Sequence, residues 1–140
     1  LHSNILNPDF RRYNNRLTKN YNFIIIKGVF AMAAQALLSI GMIVKNESRC
    51  LEKCLNALTP LRNAVSCELV IADTGSTDNT KEIAAKYADT LFDFLWVNDF
   101  SKARNAVMDR CKGKWFITID ADEYLESSPD ELVAHLIENL

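Results

Sequence analysis

From residue 37 onward, short apolar runs alternate with segments in which apolar residues recur at every third or fourth position. The short runs are typical of strands buried on both faces, and the wider spacing is typical of helices with one apolar face. The pattern predicts strands at residues 38–44, 67–72, 90–96 and 115–119, and helices at about 49–59, 81–87, 101–111 and 129–140. This alternation predicts an α/β fold with a mainly parallel, Rossmann-like sheet and flanking helices.

Two of the predicted helices have recognisable end signals. Ser48 is placed to cap the first helix and Pro60 to end it, because serine accepts from free amides and proline lacks the donor that a helix interior needs. Ser128 and Pro129 predict the N-cap and the first position of the last helix in the same way.

The first 34 residues differ from the rest of the chain. Residues 1–22 are polar and without period, which predicts an irregular lead. Residues 23–44 are apolar and reach the ~20 residues that a membrane span needs, but Lys27 and Gln35 interrupt them and their last third is better used as the first strand. We expect a lead over residues 1–34 and one domain over residues 35–140, truncated at its C-terminal side because the last predicted helix runs to the end of the chain.

Composition narrows the choice of partners. The chain has 16 Lys and Arg against 18 Asp and Glu, and this net charge of −2 gives no reason to expect nucleic acid as a partner. Its four cysteines, Cys50, Cys54, Cys67 and Cys111, do not have the spacing of a metal or redox motif. We expect them to be reduced, as in a cytoplasmic protein.

Polar residues cluster where three of the predicted strands end. Residues 45–47 follow the first strand, residues 73–76 the second and residues 120–123 the fourth. The carboxyl ends of parallel strands share one edge of the sheet, and ligands of such sheets bind there. The sequence therefore predicts a binding site at this edge, whatever its ligand.

The most acidic of these clusters contains Asp120 and Asp122. Residues two apart in extended chain point the same way, so the two carboxylates would repel each other unless a cation joins them. Oxygen ligands of this kind suit Mg²⁺ or Mn²⁺, which also take phosphate oxygens from a substrate. An acidic, solvated turn explains the same residues equally well.

The cluster that begins with Asp73 and Gly75 also has two interpretations. As a ligand site, Asp73 accepts from an N–H of a base, and Gly75 lets the backbone approach the ligand. As turn chemistry, Ser76 or Thr77 caps the helix that follows. We expect Asp78 to serve the N-terminus of that helix rather than a ligand.

Lys102 and Arg104 lie in the first turn of a predicted helix, where the helix dipole disfavours cations. Basic residues at this place indicate an anionic partner, such as a diphosphate or an acidic side chain. For Lys102, a local salt bridge on an exposed face is an equally good explanation.

Four segments together resemble a known family. They read SIGMIVKNE, ELVIADTGSTDNT, DFSKARNAV and GKWFITIDADE, and they occur in the order and approximate spacing of family 2 glycosyltransferases with the GT-A fold. Each motif is weak by itself, but four in order are specific. The chain resembles the bacterial branch that includes lipopolysaccharide-core-type transferases and transferases fused to tetratricopeptide repeats.

The resemblance implies roles for particular residues. The nucleotide-sugar pocket would contain Val44, Asn46, Glu47, Asp73, Gly75, Arg104 and Asp120, and the metal ligand would be Asp122. The chain departs from the family pattern at Thr74, where the family has a second acidic residue, so the base contact falls to Asp73 or to the backbone. The family's acceptor site and catalytic base belong to a second half that this chain lacks, so the catalytic base is not assigned.

The implied activity is that of a hexosyltransferase of cell-envelope polysaccharide synthesis. It would transfer a sugar from a nucleoside-diphosphate sugar to a saccharide, lipid or protein acceptor with the help of Mg²⁺ or Mn²⁺. Residues 35–140 would be the donor-binding half of a cytoplasmic enzyme, and the full-length protein could associate with the inner face of the membrane. Two alternatives stay open: a module that binds nucleotide or metal without catalysis, and a nucleotidyltransferase, which is disfavoured because no Gly-rich basic loop follows the first strand.

Overall fold

The computed structural model describes residues 35–125 and 129–139. In this part of the chain, strands alternate with helices, which confirms the predicted α/β class. The strands are β1 (Leu38–Val44), β2 (Cys67–Asp73), β3 (Thr90–Asp93) and β4 (Trp115–Thr118). The helices are α1 (Leu51–Ala57), α2 (Thr59–Ala64), α3 (Thr80–Tyr87), α4 (Phe100–Met108) and α5 (Asp130–Glu138). The lead expected over residues 1–34 lies outside the described residues.

The strands form one parallel sheet in the order β3-β2-β1-β4. Val44 at the end of β1 is level with Asp73 at the end of β2, which is level with Asp93 at the end of β3. The chain builds outward from β1 to β3 and then returns to place β4 on the other side of β1. The strand order thus reverses between β1 and β4, which is where open parallel sheets bind their ligands.

Helices cover both faces of this sheet. On one face, α1, α2, α3 and α5 share a buried apolar cluster with the strands, which includes Ile40 of β1 and the helix residues Leu55, Leu61, Ala84 and Leu136. On the other face, α4 packs against a smaller cluster made of Val70, Ala72, Val107 and Phe116. Gly41 makes this second contact possible, because a Cβ at that position would lie 2.6 Å from the Phe116 ring and 2.8 Å from Val107.

Both predicted ends of the first helix are wrong. Cys50, not Ser48, occupies the N-cap of α1, and no side chain caps that helix. Pro60 does not end α1, which stops at Ala57; it lies in the first turn of α2, where its missing N–H would have no partner anyway. The proline signal therefore marks a helix start instead of a helix end.

Other boundaries also differ from the prediction. β3 ends at Asp93 rather than at residue 96, because its partner β2 ends at Asp73. Helix α4 spans residues 100–108 rather than 101–111. Pro129 occupies the N-cap of α5 instead of its first position, and Ser128 lies outside the described residues. None of the helices described is long and apolar enough to cross a membrane.

Candidate functional site

The loops after β1, β2 and β4 meet at the carboxyl edge of the sheet, as the sequence predicts. They comprise residues 45–50, 74–79 and 119–125, and hydrogen bonds join the first loop to the second. The three polar clusters of the sequence belong to these loops. The edge thus brings together carboxylates and hydroxyls around the point where the strand order reverses.

Asp73 is the last residue of β2, and the two oxygens of its carboxylate have different surroundings. Its Oδ1 accepts from the Gly75 amide (2.9 Å) and the Ser76 amide (2.8 Å). Its Oδ2 is buried and has no hydrogen-bond partner, which is uncommon for a buried polar atom. Burial alone would raise the pKa of Asp73, but hydrogen bonds from Ser76 and Gly75 and the charge of Lys81 lower it overall. The carboxylate therefore stays ionised and offers one unused acceptor.

The segment that follows Asp73 is arranged to leave backbone accessible. Gly75 has a φ of +101°, and a Cβ added there would meet no atom within 4 Å. The prediction that Ser76 or Thr77 caps α3 is wrong, because the N-cap residue is Asn79 and no side chain caps the helix from that position. Asp78 does serve the helix start, as predicted, since its Oδ1 accepts from the amide of the first helical residue at 3.0 Å.

Thr74 stands where the family pattern has an acidic residue, and it is turned away from the edge. It is 5% exposed, and both its amide (2.9 Å) and its hydroxyl (3.1 Å) donate to the Val44 carbonyl. The side chain of Val44 is buried in the core. Thr74 therefore ties β2 to β1, and its two hydrogen bonds occupy the Val44 carbonyl.

Asn46 and Glu47 form the start of the loop after β1. Asn46 has a φ of +55°, and its Oδ1 accepts from the Thr77 amide at 2.8 Å. The Glu47 carboxylate accepts from Cys50 Sγ at 3.2 Å, and its charge contributes to raising the pKa of Asp120. Glu47 is thus close to the acidic turn after β4, whereas the Asn46 side chain is engaged by the loop after β2.

Asp120 and Asp122 lie in a turn rather than in extended chain. The Glu123 amide donates to the Asp120 carbonyl (3.0 Å), and the Asp120 amide donates to Glu123 Oε2 (3.0 Å). The assumption of extended chain behind the predicted pair is therefore wrong, but the turn still brings the carboxylates together. Burial, followed by the charges of Glu123 and Asp122, raises the pKa of Asp120, while Arg104 opposes the rise.

Arg104 projects from α4 into a cleft between β1 and β4. It lines this cleft together with Gly41, Met42, Ile43, Val107, Thr118, Ile119 and Asp120. The guanidinium group is exposed and near enough to Asp120 to act on its pKa. Lys102 instead lies beside its own helix cap, with its Nζ 4.0 Å from Asp99 Oδ2, in agreement with the salt-bridge interpretation.

The acidic turn has the right donors for a hard divalent cation but is not a complete cage. Nowhere in residues 35–125 and 129–139 do three Asp, Glu, His or Cys side chains gather as a metal site. Mg²⁺ is commonly held by one or two carboxylates, with water and substrate phosphate oxygens completing the shell. The crowded carboxylates around Asp120 fit that mode of binding.

Two of the four cysteines, Cys50 and Cys54, lie next to residues of this site. All four are free, and Cys54, whose Sγ lies 3.6 Å from the Asp120 carbonyl, is buried. Burial raises the pKa of Cys54 to about 12 and that of Cys111 to about 12, so both are protonated thiols at neutral pH. Cys54 packs α1 against the acidic turn, which the sequence pattern did not indicate.

Two solved structures align with this fold. A mannosyltransferase from Pyrobaculum calidifontis, in complex with GDP-Man and Mn²⁺, aligns with a TM-score of 0.62 at 18% identity, over 91% of this chain and 38% of that one. Residues 1–349 of S. aureus TarS, in complex with UDP, align with a TM-score of 0.62 at 22% identity, over 73% and 32%. The fold is therefore the GT-A fold.

Sequence comparison identifies the family. The model of glycosyl transferase family 2 matches residues 39–139, and the chain belongs to that family. A TPR repeat-containing protein of Synechococcus elongatus is 39% identical over 97 residues, which cover 69% of this chain and 23% of that protein. The lipopolysaccharide core biosynthesis glycosyltransferase LpsC of Rhizobium meliloti is 30% identical over 104 residues, 71% of this chain and 37% of LpsC. The chain thus spans well under half the length of these relatives.

Proposed function

We propose that this chain is the donor-binding part of a glycosyltransferase and holds a nucleoside-diphosphate sugar, together with Mg²⁺ or Mn²⁺, at the carboxyl edge of its sheet. The observation that carries the proposal is the buried, unpartnered Oδ2 of Asp73 at the tip of a central strand. Membership of glycosyl transferase family 2 supports the reaction class.

Asp73 is suited to recognise the base of the nucleotide. An ionised carboxylate can only accept hydrogen bonds, and Oδ1 is already held by two amides. The free Oδ2 therefore calls for one donor, such as the ring N–H of uracil or guanine. Gly75 leaves open space beside this acceptor, so the backbone can lie close to the base or ribose.

The acidic turn and Arg104 are suited to the diphosphate. Asp122 would hold the cation, and Asp120 would face the sugar or the ribose. Glu47 is near enough to Asp120 for its charge to raise the pKa of that carboxyl. A bound Mg²⁺ or Mn²⁺ would neutralise charge that develops on the leaving diphosphate. Arg104 at the edge of the same cleft offers a second, fixed positive charge for the phosphate oxygens.

The acceptor and the place of the reaction complete the proposal. The acceptor is a saccharide, lipid or protein, and the similarity to LpsC favours a product of the cell envelope. Four free cysteines support a reducing, cytoplasmic setting, with the full-length protein at the inner face of the membrane. No residue described here is assigned as the base that activates the acceptor, so we expect this chain alone to bind donor and not to transfer sugar efficiently.

The substitution Asp73→Asn tests the proposal most directly. The new side chain can keep its oxygen on the two amides, so the fold should survive, but it places an NH₂ group where Oδ2 was. The introduced NH₂ group would then face the N–H donor of the base, and the two cannot form a hydrogen bond. Calorimetric titration with UDP and GDP in the presence of Mn²⁺ should therefore show at least tenfold weaker binding, about 1.4 kcal/mol.

Thr74→Ala is the matched control, because Thr74 is the next residue and its hydroxyl is committed to Val44. It should leave the affinity for nucleotide nearly unchanged. The proposal is wrong if the parent protein binds neither UDP nor GDP, or if Asp73→Asn binds them as the parent does.

A further inference from the structure

The loops after β1 and β2 are joined by a row of hydrogen bonds. Backbone amides of residues 46–48 donate to side chains of residues 76–80, and residue 77 donates in the opposite direction. The bonds are Asn46 N to Ser76 Oγ (3.0 Å), Glu47 N to Thr80 Oγ1 (2.7 Å), Ser48 N to Asp78 Oδ2 (3.2 Å) and Thr77 N to Asn46 Oδ1 (2.8 Å). We call these bonds the loop clasp.

Asp78 and Thr80 are the centre of the loop clasp. Thr80 is fully buried, and its hydroxyl accepts from Glu47 while it donates to Asp78 Oδ1. Asp78 accepts from the Ser48 amide on one oxygen and from Thr80 on the other. Its carboxylate therefore binds the loop after β1 and the start of α3 at the same time.

Asn46 closes the other end of the clasp and carries backbone strain to do so. Its φ of +55° is in the left-handed region, which asparagine adopts more readily than most residues because its side chain can bond locally. Here that side chain bonds across to Thr77 instead, with the amide at 2.8 Å and the hydroxyl at 3.3 Å. The strained conformation is thus held by contacts with the neighbouring loop.

Hydrogen bonds connect the loop clasp to the carboxylate of Asp73. Asn46 binds the Ser76 hydroxyl, and the amides of Ser76 and Gly75 hold Asp73 Oδ1. A shift of the loop after β2 would move both amides and release the carboxylate to rotate. At its other side the clasp holds the backbone of Glu47, whose charge reaches Asp120.

We propose that the loop clasp is a positioning device, in which Asn46, Asp78 and Thr80 hold the two loops in one fixed arrangement. These three residues thereby orient Asp73 toward the nucleotide, and they do not contact the nucleotide themselves. This inference rests on the proposed function for the identity of the ligand, but the effect of the hydrogen bonds on the two loops does not depend on that function. It gives Asn46 a role through Ser76, in place of the direct ligand contact that the sequence suggests. A site held ready in this way loses less conformational freedom when it binds.

Thr80 offers a matched pair of substitutions. Thr80→Val keeps the shape of the side chain and removes the hydroxyl, whereas Thr80→Ser keeps the hydroxyl. In the free protein, we expect Thr80→Val to speed amide hydrogen exchange at Glu47, Gly75 and Ser76 by at least tenfold, and Thr80→Ser to restore rates near those of the parent. UDP and GDP affinity should fall at least tenfold in Thr80→Val and recover in Thr80→Ser.

Ser39→Ala is the control for a purely structural effect. Ser39 is also a fully buried hydroxyl, and it accepts from the Gly113 amide at 2.7 Å, but at the opposite edge of the sheet. This change should lower the midpoint of urea unfolding and leave nucleotide affinity and exchange at Gly75 and Ser76 unchanged. If Thr80→Val does not fold, Asn46→Ala replaces it, because position 46 is exposed.

The results separate the clasp from the proposed function. Parental exchange rates at Gly75 and Ser76 in the clasp variant overturn the inference, as does a loss of affinity no larger than that of Ser39→Ala. If the parent binds no nucleotide, the proposed function fails, while exchange in the free protein still decides whether the clasp holds the loop that orients Asp73.

Discussion

The carboxylates at the sheet edge differ in how far the surrounding protein stabilises their negative charge. Hydrogen bonds lower the pKa of Asp73 despite its burial, so its negative charge is already stabilised by the fold. Asp120 is the opposite case, since burial and the neighbouring Glu123 and Asp122 raise its pKa. A carboxylate that the fold leaves poorly compensated is one that a cation can stabilise, which is in line with our proposal that a divalent cation binds at the turn after β4 and not at Asp73.

The two aspartates of this turn should therefore respond differently to substitution. We expect Asp122→Asn to weaken Mn²⁺-dependent binding of UDP or GDP at least tenfold, about 1.4 kcal/mol, because a hard cation loses an anionic ligand. Asp120→Asn should also weaken nucleotide binding but retain more of the affinity for Mn²⁺. Calorimetry with Mn²⁺ and with chelator measures both effects.

Stability provides a second readout for the same variants. Without metal, either substitution removes one of several mutually repelling carboxylates, so the urea midpoint should stay equal or rise. An Asp122→Asn protein that binds Mn²⁺ and nucleotide like the parent would exclude Asp122 as the ligand. One that unfolds would show that the carboxylates serve the turn and not a cation.

At the scale of elements, helix α4 depends on the residue that precedes it, both for its N-terminal cap and for the position of Arg104. Asp99 is the N-cap, and its Oδ1 accepts from the amides of Ser101 (2.9 Å) and Lys102 (3.2 Å). The helix then carries Arg104 into the cleft and buries Val107 against the sheet. The position of the guanidinium group is thus tied to a cap one turn earlier.

Removal of this cap should weaken α4 measurably. We expect Asp99→Ala to lower the free energy of unfolding by about 1 kcal/mol, the usual effect of losing an N-cap side chain. Asp99→Ser, which can still accept from both amides, should lose only a few tenths. Urea denaturation compares the two, and equal losses would mean that the cap hydrogen bonds are not the source of the effect.

Element boundaries show where local signals stop being sufficient. The Pro60 signal is real, but it marks the start of α2, because proline fits a first helical turn as well as it ends a helix. The alternation over residues 90–96 continues past Asp93, yet the strand stops there because β2 provides no further partner. A strand needs a neighbour, and the length of that neighbour is not encoded in the strand itself.

At the scale of the whole molecule, the residues that the structure describes share one main buried cluster of apolar side chains. The main buried cluster runs from Leu38 to Leu136 and joins both ends of the described chain. We therefore expect a protein that starts at Met32 to keep its cooperative thermal melt, with a midpoint within a few degrees of the full chain. A large fall in the midpoint would show that residues 23–30 pack on the core.

The amino-acid sequence by itself determined the class of fold and the edge of the sheet at which the polar clusters meet. Apolar runs and three-and-four spacing specify strands and helices through local geometry alone, and parallel strands then bring Asn46, Asp73 and Asp120 to one edge. The polar residues that follow the strands can be read directly from the sequence. Four short motifs were enough to indicate the family that sequence comparison identifies.

Only the tertiary structure decided what each of these residues does. The inward turn of Thr74 and the loop clasp both depend on hydrogen bonds between residues about thirty positions apart in the chain. Such bonds form only after β1 and β2 pair in one particular register. Side chains with the same local preferences can cap a helix, bind a ligand or join two loops, and the choice among these roles is made by the partner that the fold places opposite them.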